Sequence, residues 1–346
     1  MARKPYRLEV EYSKNQNPKC YIVKDVIFGD KRRKVKKYIC SGRIPSQEEF
    51  DKIRESQAFN LESRAAEKIG EWSVGKFKTC FLSDETIKRL EQIRYLHKRF
   101  TELSTTSELE VYEKNFEIRY IQGTTSIEGN TFSLQEARDF LNNGIIPSDK
   151  KIREINELQN FKNVKKFRDS YRKKVSLDFI RHLHALILEN IDDQSAGTFR
   201  RSNDTIITGC DEQVCPADDI ENQLQKIIDE YYQNINDGHH PVEEIILFHY
   251  KFEMIHPFTD GNGRVGREIF NYMLRTSKYP RLLFLGNDRD HYIKALKQGN
   301  NNKNLEMVEI IAKILIIQRL SVLIKNLEQL VIPITKRGQV TLSDFV

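Results

Sequence analysis

Twelve residues, His256 to Arg267, constrain this chain more than any other stretch: they read His-Pro-Phe-Thr-Asp-Gly-Asn-Gly-Arg-Val-Gly-Arg. Pro257 disfavours helical backbone at the residue before it, so a helix arriving through Glu243 to Ile255 is expected to stop with His256 extended. Gly261 and Gly263 admit backbone angles that other residues avoid, and the turn between them can aim successive N–H groups into one concave nest. With Arg264 opening a second helix, that nest sits at a helix N-terminus, where unpaired N–H groups and the macrodipole favour phosphate. Arg264 and Arg267 then lie one turn apart on one face and offer two guanidinium forks to further oxygens. Asp260 stands beside the nest with a carboxylate suited to Mg2+ held against the same phosphates. His256 carries the side chain whose ordinary pKa suits proton removal near neutral pH. The plain alternative is a glycine turn between two helices with a solvated basic end.

The rest of the chain supplies what such a turn must be mounted on. Residues Tyr6 to about Ser41 alternate as strands do, with Gly29-Asp30 between two β-branched and aromatic runs, and predict a small hairpin-rich subdomain. Its basic run, Lys31 to Lys37, reads either as a nucleic-acid or nuclear-import patch or as a solvated hairpin face; the lack of interleaved aromatics favours the second. From Ser46 the pattern turns helical. Helices are expected over Ser83 to Thr101, Leu109 to Ile121, Leu134 to Leu141 behind a Ser133/Glu136 capping box, Asp149 to Tyr171, Leu177 to Asn190, Ile220 to Asn234, Val242 to Ile255, Asp290 to Leu296 and Leu305 to Leu330. His182 and His184 are two apart, point to different faces and suit packing or surface roles. Thr205-Ile206-Ile207-Thr208 is a short β-branched run turning at Gly209, and reads as a hairpin flap. The predicted organisation is an N-terminal β/α subdomain at 1–80, a helical connector at 81–108, a helical core at 109–330 and a tail at 331–346.

With 346 residues, 39% of them hydrophobic, the chain can bury sizeable cores, and a net charge of +6 does not by itself demand nucleic acid. Five cysteines without a CxxC pair indicate neither a disulfide framework nor a zinc site. No apolar leader or membrane-length run is evident, and a cytoplasmic protein is expected.

The residues at 256–267 match the Fic signature, His-x-Phe-x-(Asp/Glu)-Gly-Asn-Gly-Arg-x-x-Arg, at every fixed position. Thr124-x-x-x-Glu128-Gly129 matches the (Ser/Thr)-x-x-x-Glu-(Gly/Asn) inhibitory motif of Fic proteins in which it precedes the catalytic core. The chain therefore resembles the Fic family from about Leu109 to Leu330. The resemblance implies a mainly α fold, a Fic-type helical bundle core with a short β-hairpin flap, that transfers AMP from ATP to a hydroxyl of a target protein or of the chain itself. It implies His256 as general base, Asp260 as the Mg2+ ligand, and Gly261, Asn262 and Gly263 as the anion nest. The Asn262 side chain would help at the α-phosphate, Arg264 at the β-phosphate, and Arg267 at the γ-phosphate or, in an inhibited state, at Glu128. Thr205 to Thr208 would hold the target segment, Tyr292 would help line the adenine site, and a homodimer is a candidate assembly.

Two other activities remain open from sequence. Some relatives with this glutamate remove AMP, and the same residues would serve. A nucleotide-sensing regulator that binds nucleic acid through Lys31 to Lys37 is the less favoured alternative, because no helix-turn-helix signature accompanies the run. A relative that transfers phosphate departs from the glycine-asparagine-glycine nest, which this chain keeps.

Overall fold

The computed structural model describes residues 6–203, 214–285, 289–300 and 304–331. The flap residues Thr205, Ile206, Ile207 and Thr208, and the tail from 332 onward, lie outside the described residues. The chain divides into two compact units, one within 1–76, 84–111 and 316–346, the other within 77–83 and 112–315. Residues 84–111, which overlap the connector expected at 81–108, group with the N-terminal sheet.

In the first unit, β1 (Tyr6–Tyr12), β2 (Pro18–Phe28) and β3 (Lys31–Ser41) form an antiparallel sheet in the order β1-β2-β3. Gly29, at φ +57, makes the tight turn between β2 and β3. Helix α1 (Gln47–Ser73) starts at a capping box between Ser46 and Glu49 and covers one face of the sheet, burying Leu61 and Ala65. Helix α2 (Asp84–Leu103) crosses α1 closely at Gly70, where a Cβ would stand 2.6 Å from the Lys88 carbonyl. Burial of Ile87, Leu90, Ile93 and Leu96 follows the helical stripe read from sequence. The basic run of β3 alternates as a strand must: Arg33 stacks over Trp72, while Arg32, Lys34 and Lys36 pair with Asp25, Glu9 and Glu11. These pairs fit a solvated hairpin face.

The second unit carries the site. It contains most of α3 (Thr106–Ile127), then α4 (Leu134–Asn143), α5 (Ile152–Ser170), α6 (Leu177–Leu188), α7 (Ile220–Asn236), α8 (Pro241–Ile255), α9 (Asn262–Thr276), α10 (Arg289–Asn300) and the first half of α11 (Asn304–Leu330). Pro241 occupies the first turn of α8 and His240 caps it. Helix α9 is buried along nearly its whole length and packs against α6 and α8. Gly123 on α3 lets the Phe284 carbonyl approach so closely that a Cβ would lie 2.2 Å away. The Asn271 side chain fixes the same segment by accepting from Leu282 N–H at 2.7 Å and donating to Leu282 C=O at 2.9 Å. Among the described residues, no helix is long and apolar enough to cross a membrane.

Candidate active site

His256 ends α8 in the left-handed region, at φ 50 and ψ 62, not in the extended conformation that Pro257 leads one to expect. The physical reason lies in the helix end: the His256 N–H closes back onto the Phe252 carbonyl at 3.0 Å, a left-handed C-terminal cap. Positive φ costs energy in a non-glycine residue and persists where the surroundings over-determine it. Arg200 does so here, donating from Nε to the His256 carbonyl at 2.8 Å and from Nη2 to the Ile255 carbonyl at 3.2 Å. Burial lowers the His256 pKa, the Glu253 backbone acts in the opposite direction, and the nearby Arg200 charge adds to the lowering. A neutral, proton-accepting imidazole at pH 7 follows.

The turn after His256 is clasped by its own asparagine. Asn262 Oδ1 accepts from Phe258 N–H at 2.9 Å and Nδ2 donates to the Phe258 carbonyl at 2.7 Å. Both ends of this buried side chain are committed to the loop, so what Asn262 has left for a phosphate is its backbone N–H. The helix also begins earlier than expected, at Asn262, with Gly261 at φ +78 as its cap. The first N–H groups of α9 therefore belong to Asn262, Gly263 and Arg264, and have no partner within the helix.

Glu128 reaches this helix end from α3. Its Oε1 accepts from Arg267 Nη2 at 2.7 Å. Arg267, buried in α9, also donates from Nε to Thr124 Oγ1 at 2.8 Å and from Nη2 to the Thr124 carbonyl at 2.9 Å. Gly263 makes room for the pair: a Cβ there would sit 2.5 Å from Glu128 Oε1 and 2.7 Å from Arg267 Nη1. A carboxylate thus stands over the first turn of α9, where the macrodipole favours negative charge. Burial works to raise the Glu128 pKa, but the Arg267 guanidinium, helped by Arg264, holds it below the usual carboxylate range.

Arg264 and Asp260 form the other side of the pocket. Asp260 Oδ1 accepts from Gly261 N–H at 2.5 Å and from Arg264 Nη2 at 3.0 Å, while Oδ2 meets Arg153 Nη2 at 2.5 Å. Arg264 Nη1 reaches Glu157 at 3.3 Å, and its buried Nε has no hydrogen-bond partner among the described residues. Sequence reasoning missed Arg153 and Glu157, which reach the loop from α5; His184, expected to have a packing or surface role, packs on the loop from α6. His184 stacks on Phe258 with ring centroids 3.6 Å apart, accepts from Gly197 N–H at Nδ1 and meets the Asp260 carbonyl through Nε2 at 3.0 Å. Burial depresses its pKa to about 4, so it acts as a neutral brace. Tyr292 is buried and its hydroxyl lies 2.5 Å from His249 Nε2. Its ring, with Ile127, Phe284 and Ile311, lines a small apolar pocket. His249 is held neutral by burial, with a pKa of about 3.

Residues 174–274 match a family model described as Fic/DOC family. The chain carries a Fic domain. Protein adenylyltransferase fic-1 of Caenorhabditis briggsae is 29% identical over 231 residues, 65% of this chain and 45% of that protein. Protein adenylyltransferase Fic of Drosophila ananassae is 30% identical over 207 residues, 58% of this chain and 40% of that protein. The chain therefore spans less than half the length of these curated relatives. Among solved structures, Fic-1 from C. elegans superposes with a TM-score of 0.61 at 26% identity, covering 79% of this chain and 85% of that one. A Fic-domain signaling protein from Bacteroides thetaiotaomicron shares the fold, with a TM-score of 0.60 at 23% identity over 68% of this chain and 97% of its own. His256, Asp260, Asn262, Arg264 and Arg267 all fall inside the matched Fic domain, whereas Thr124, Glu128, Arg153 and Tyr292 lie outside it.

Proposed function

We propose that this protein transfers AMP from ATP to a serine, threonine or tyrosine hydroxyl of a target protein, and that Glu128 restrains the transfer. The observation that carries the proposal is the Glu128 carboxylate held by Arg267 over Gly263, which marks an anion position at the start of α9. The name shared by the curated relatives, protein adenylyltransferase, supports the same reading.

In this reading the target hydroxyl oxygen attacks the α-phosphorus of ATP while His256 takes the hydroxyl proton. The bond from the α-phosphorus to its bridging oxygen breaks and pyrophosphate leaves. Charge that develops on the phosphoryl oxygens meets donors already in place: the first N–H groups of α9, the unpaired Nε of Arg264, and Arg267 once Glu128 has withdrawn. Asp260 fits Mg2+ in its donor chemistry, a half-exposed carboxylate beside a phosphate cradle, provided Arg153 releases Oδ2. Bound there, the metal would neutralise phosphate charge. The apolar cavity beside Ile127 and Tyr292, about 10 Å3, would have to widen to take the adenine ring, with Tyr292 contributing its ring and not its hydroxyl. Thr205 to Thr208 would hold the target segment by strand addition. The free thiols of Cys20 and Cys40, partners across β2 and β3, accord with a reducing cytoplasmic setting.

Incorporation of label from α-labelled ATP, followed by mass spectrometry of the modified chain, tests the proposal. Glu128→Gly is expected to raise incorporation by about tenfold or more, and His256→Ala to lower it by about a hundredfold or more while nucleotide binding persists. Equal incorporation by wild type and Glu128→Gly would remove Glu128 as a restraint. Loss of label from an AMP-modified target, abolished by Glu128→Gly, would favour removal of AMP instead.

A further inference from the structure

Between α5 and α6 runs a short loop whose sequence, Tyr171-Arg-Lys-Lys-Val175, closes a strongly basic stretch. From Lys162 to Lys174 there are seven cations and one carboxylate, Asp169. Three tyrosines from three different helices or helix ends fasten the loop by its backbone. Tyr171 donates from its hydroxyl to the Lys174 carbonyl at 2.9 Å, and Tyr272 on α9 to the Lys173 carbonyl at 2.6 Å. The Tyr232 hydroxyl on α7 accepts from Val175 N–H at 2.7 Å. The loop is thereby fixed through its backbone.

Arg172, Lys173 and Lys174 project from this clamp, exposed and with no carboxylate partner among the described residues. They border a groove of about 500 Å3 that also includes Tyr232, Tyr272 and Arg275. Asp169 is already shared by Lys165 at 2.6 Å, Arg275 at 2.8 Å and Arg168 at 3.4 Å. Arg275 is half-buried among like charges: burial and then repulsion from Arg168 push its pKa down. The groove therefore carries positive charge, on Arg172, Lys173 and Lys174, that no carboxylate among the described residues pairs, on a backbone held by three tyrosine hydrogen bonds. The aromatic faces are taken by the protein's own cations, Lys174 Nζ standing 4.5 Å from the Tyr232 centroid and the Arg275 guanidinium 5.7 Å from that of Tyr272. Bases would find no free ring to stack on, so the groove reads charge and not nucleobases.

We infer that the groove between the α5–α6 loop and the ends of α7 and α9 is a docking site for an acidic polypeptide segment of the target protein, distinct from the His256 pocket. This rests on the reading that the substrate is a protein. Preorganised cations lower the ordering cost of binding and steer an anionic segment towards its site.

Fluorescence anisotropy of the full chain with a fluorescein-labelled oligoglutamate peptide, in the absence of ATP, tests the inference separately from the chemistry. Wild type is expected to bind the peptide, with affinity falling steeply as added salt shortens the screening length. Lys173→Glu/Lys174→Glu should weaken binding by about tenfold or more. Lys173→Ala/Lys174→Ala, which leaves the backbone clamp intact, should weaken it by a smaller factor. In the Glu128→Gly background the charge reversal should raise the KM for an acidic threonine peptide and leave kcat unchanged. Equal peptide binding by wild type and the charge-reversed variant overturns the docking site. So does tighter binding of a single-stranded oligonucleotide of equal charge. A chain that binds the peptide through this groove yet transfers no AMP would count against the proposed function alone.

Discussion

Two carboxylates, one in each unit, are held by arginine, and they are held for different ends. Glu62 on α1 is fully buried and takes donors from every side: Tyr6 at 2.6 Å, Tyr95 at 2.8 Å, Lys24 at 2.8 Å and both Nε and Nη2 of Arg99 at 3.1 Å. Glu128 has one ion-pair partner among the described residues, Arg267, and its side chain is 36% exposed. Arg267 also makes two bonds to Thr124 that do not involve Glu128. Glu62 is a knot that several groups depend on. On the reading proposed above, Glu128 is the contact that withdraws, leaving Arg267 its bonds to Thr124.

The comparison breaks most readily on stability. Glu62→Ala leaves Lys24 and Arg99 buried without their shared anion, and is expected to cost about 3–5 kcal/mol, read as a lower midpoint in urea unfolding. Glu128→Gly should cost only about 1 kcal/mol, chiefly from added freedom in the unfolded chain. A Glu128 variant as damaged as the Glu62 variant would make both contacts structural. Next in size is nucleotide affinity: Glu128→Gly should tighten binding of a non-hydrolysable ATP analogue by about tenfold, measured by calorimetry, and Glu62→Ala, where it remains folded, should not change it.

The smallest expected effect is on pH dependence. Burial raises both carboxyls, but the cations beside them more than offset it and hold both below the ordinary range. A carboxylate depressed in the folded state contributes stability above its unfolded-state pKa of about 4.3 and loses it as pH falls through the folded value. Neither pair should therefore weaken between about pH 8 and 6, and the affinity ratio of Glu128→Gly to wild type should stay within about twofold across that window. A ratio that collapses near neutrality would point to Glu253 instead, a buried carboxyl behind Arg267 whose pKa burial lifts to about 7.

The centre of the site was readable because it is local. His256, Asp260, Gly261, Gly263, Arg264 and Arg267 are brought together by one turn and one helix, so spacing alone places them. Glu128 could be found only through its motif, since nothing in the periodicity of α3 says which helix end it meets. Arg153 carried no signal, joining Asp260 from 107 residues away; for His184, 76 residues away, helix spacing indicates a packing or surface role but not the loop it packs against. One local reading failed for a local reason. Pro257 favours an extended His256, but a helix-end cap braced by Arg200 outweighs that preference. The Asn262 side chain, expected to help at the α-phosphate, is bonded to Phe258 within the loop. The hydrophobic stripe of α2 and the capping box of α4 were legible because each is decided within a few residues.

One consequence of the Glu128–Arg267 contact concerns concentration. On the reading proposed above, the carboxylate is a competitor that travels with the protein, so dilution cannot remove it. A short tether gives such a group an effective concentration of about the millimolar range or higher. ATP must then exceed a threshold set by the stiffness of the α3 end, and not by any second molecule. Whatever loosens that helix end would lower the threshold, and the enzyme would respond to a change in its own mechanics as though the supply of nucleotide had risen.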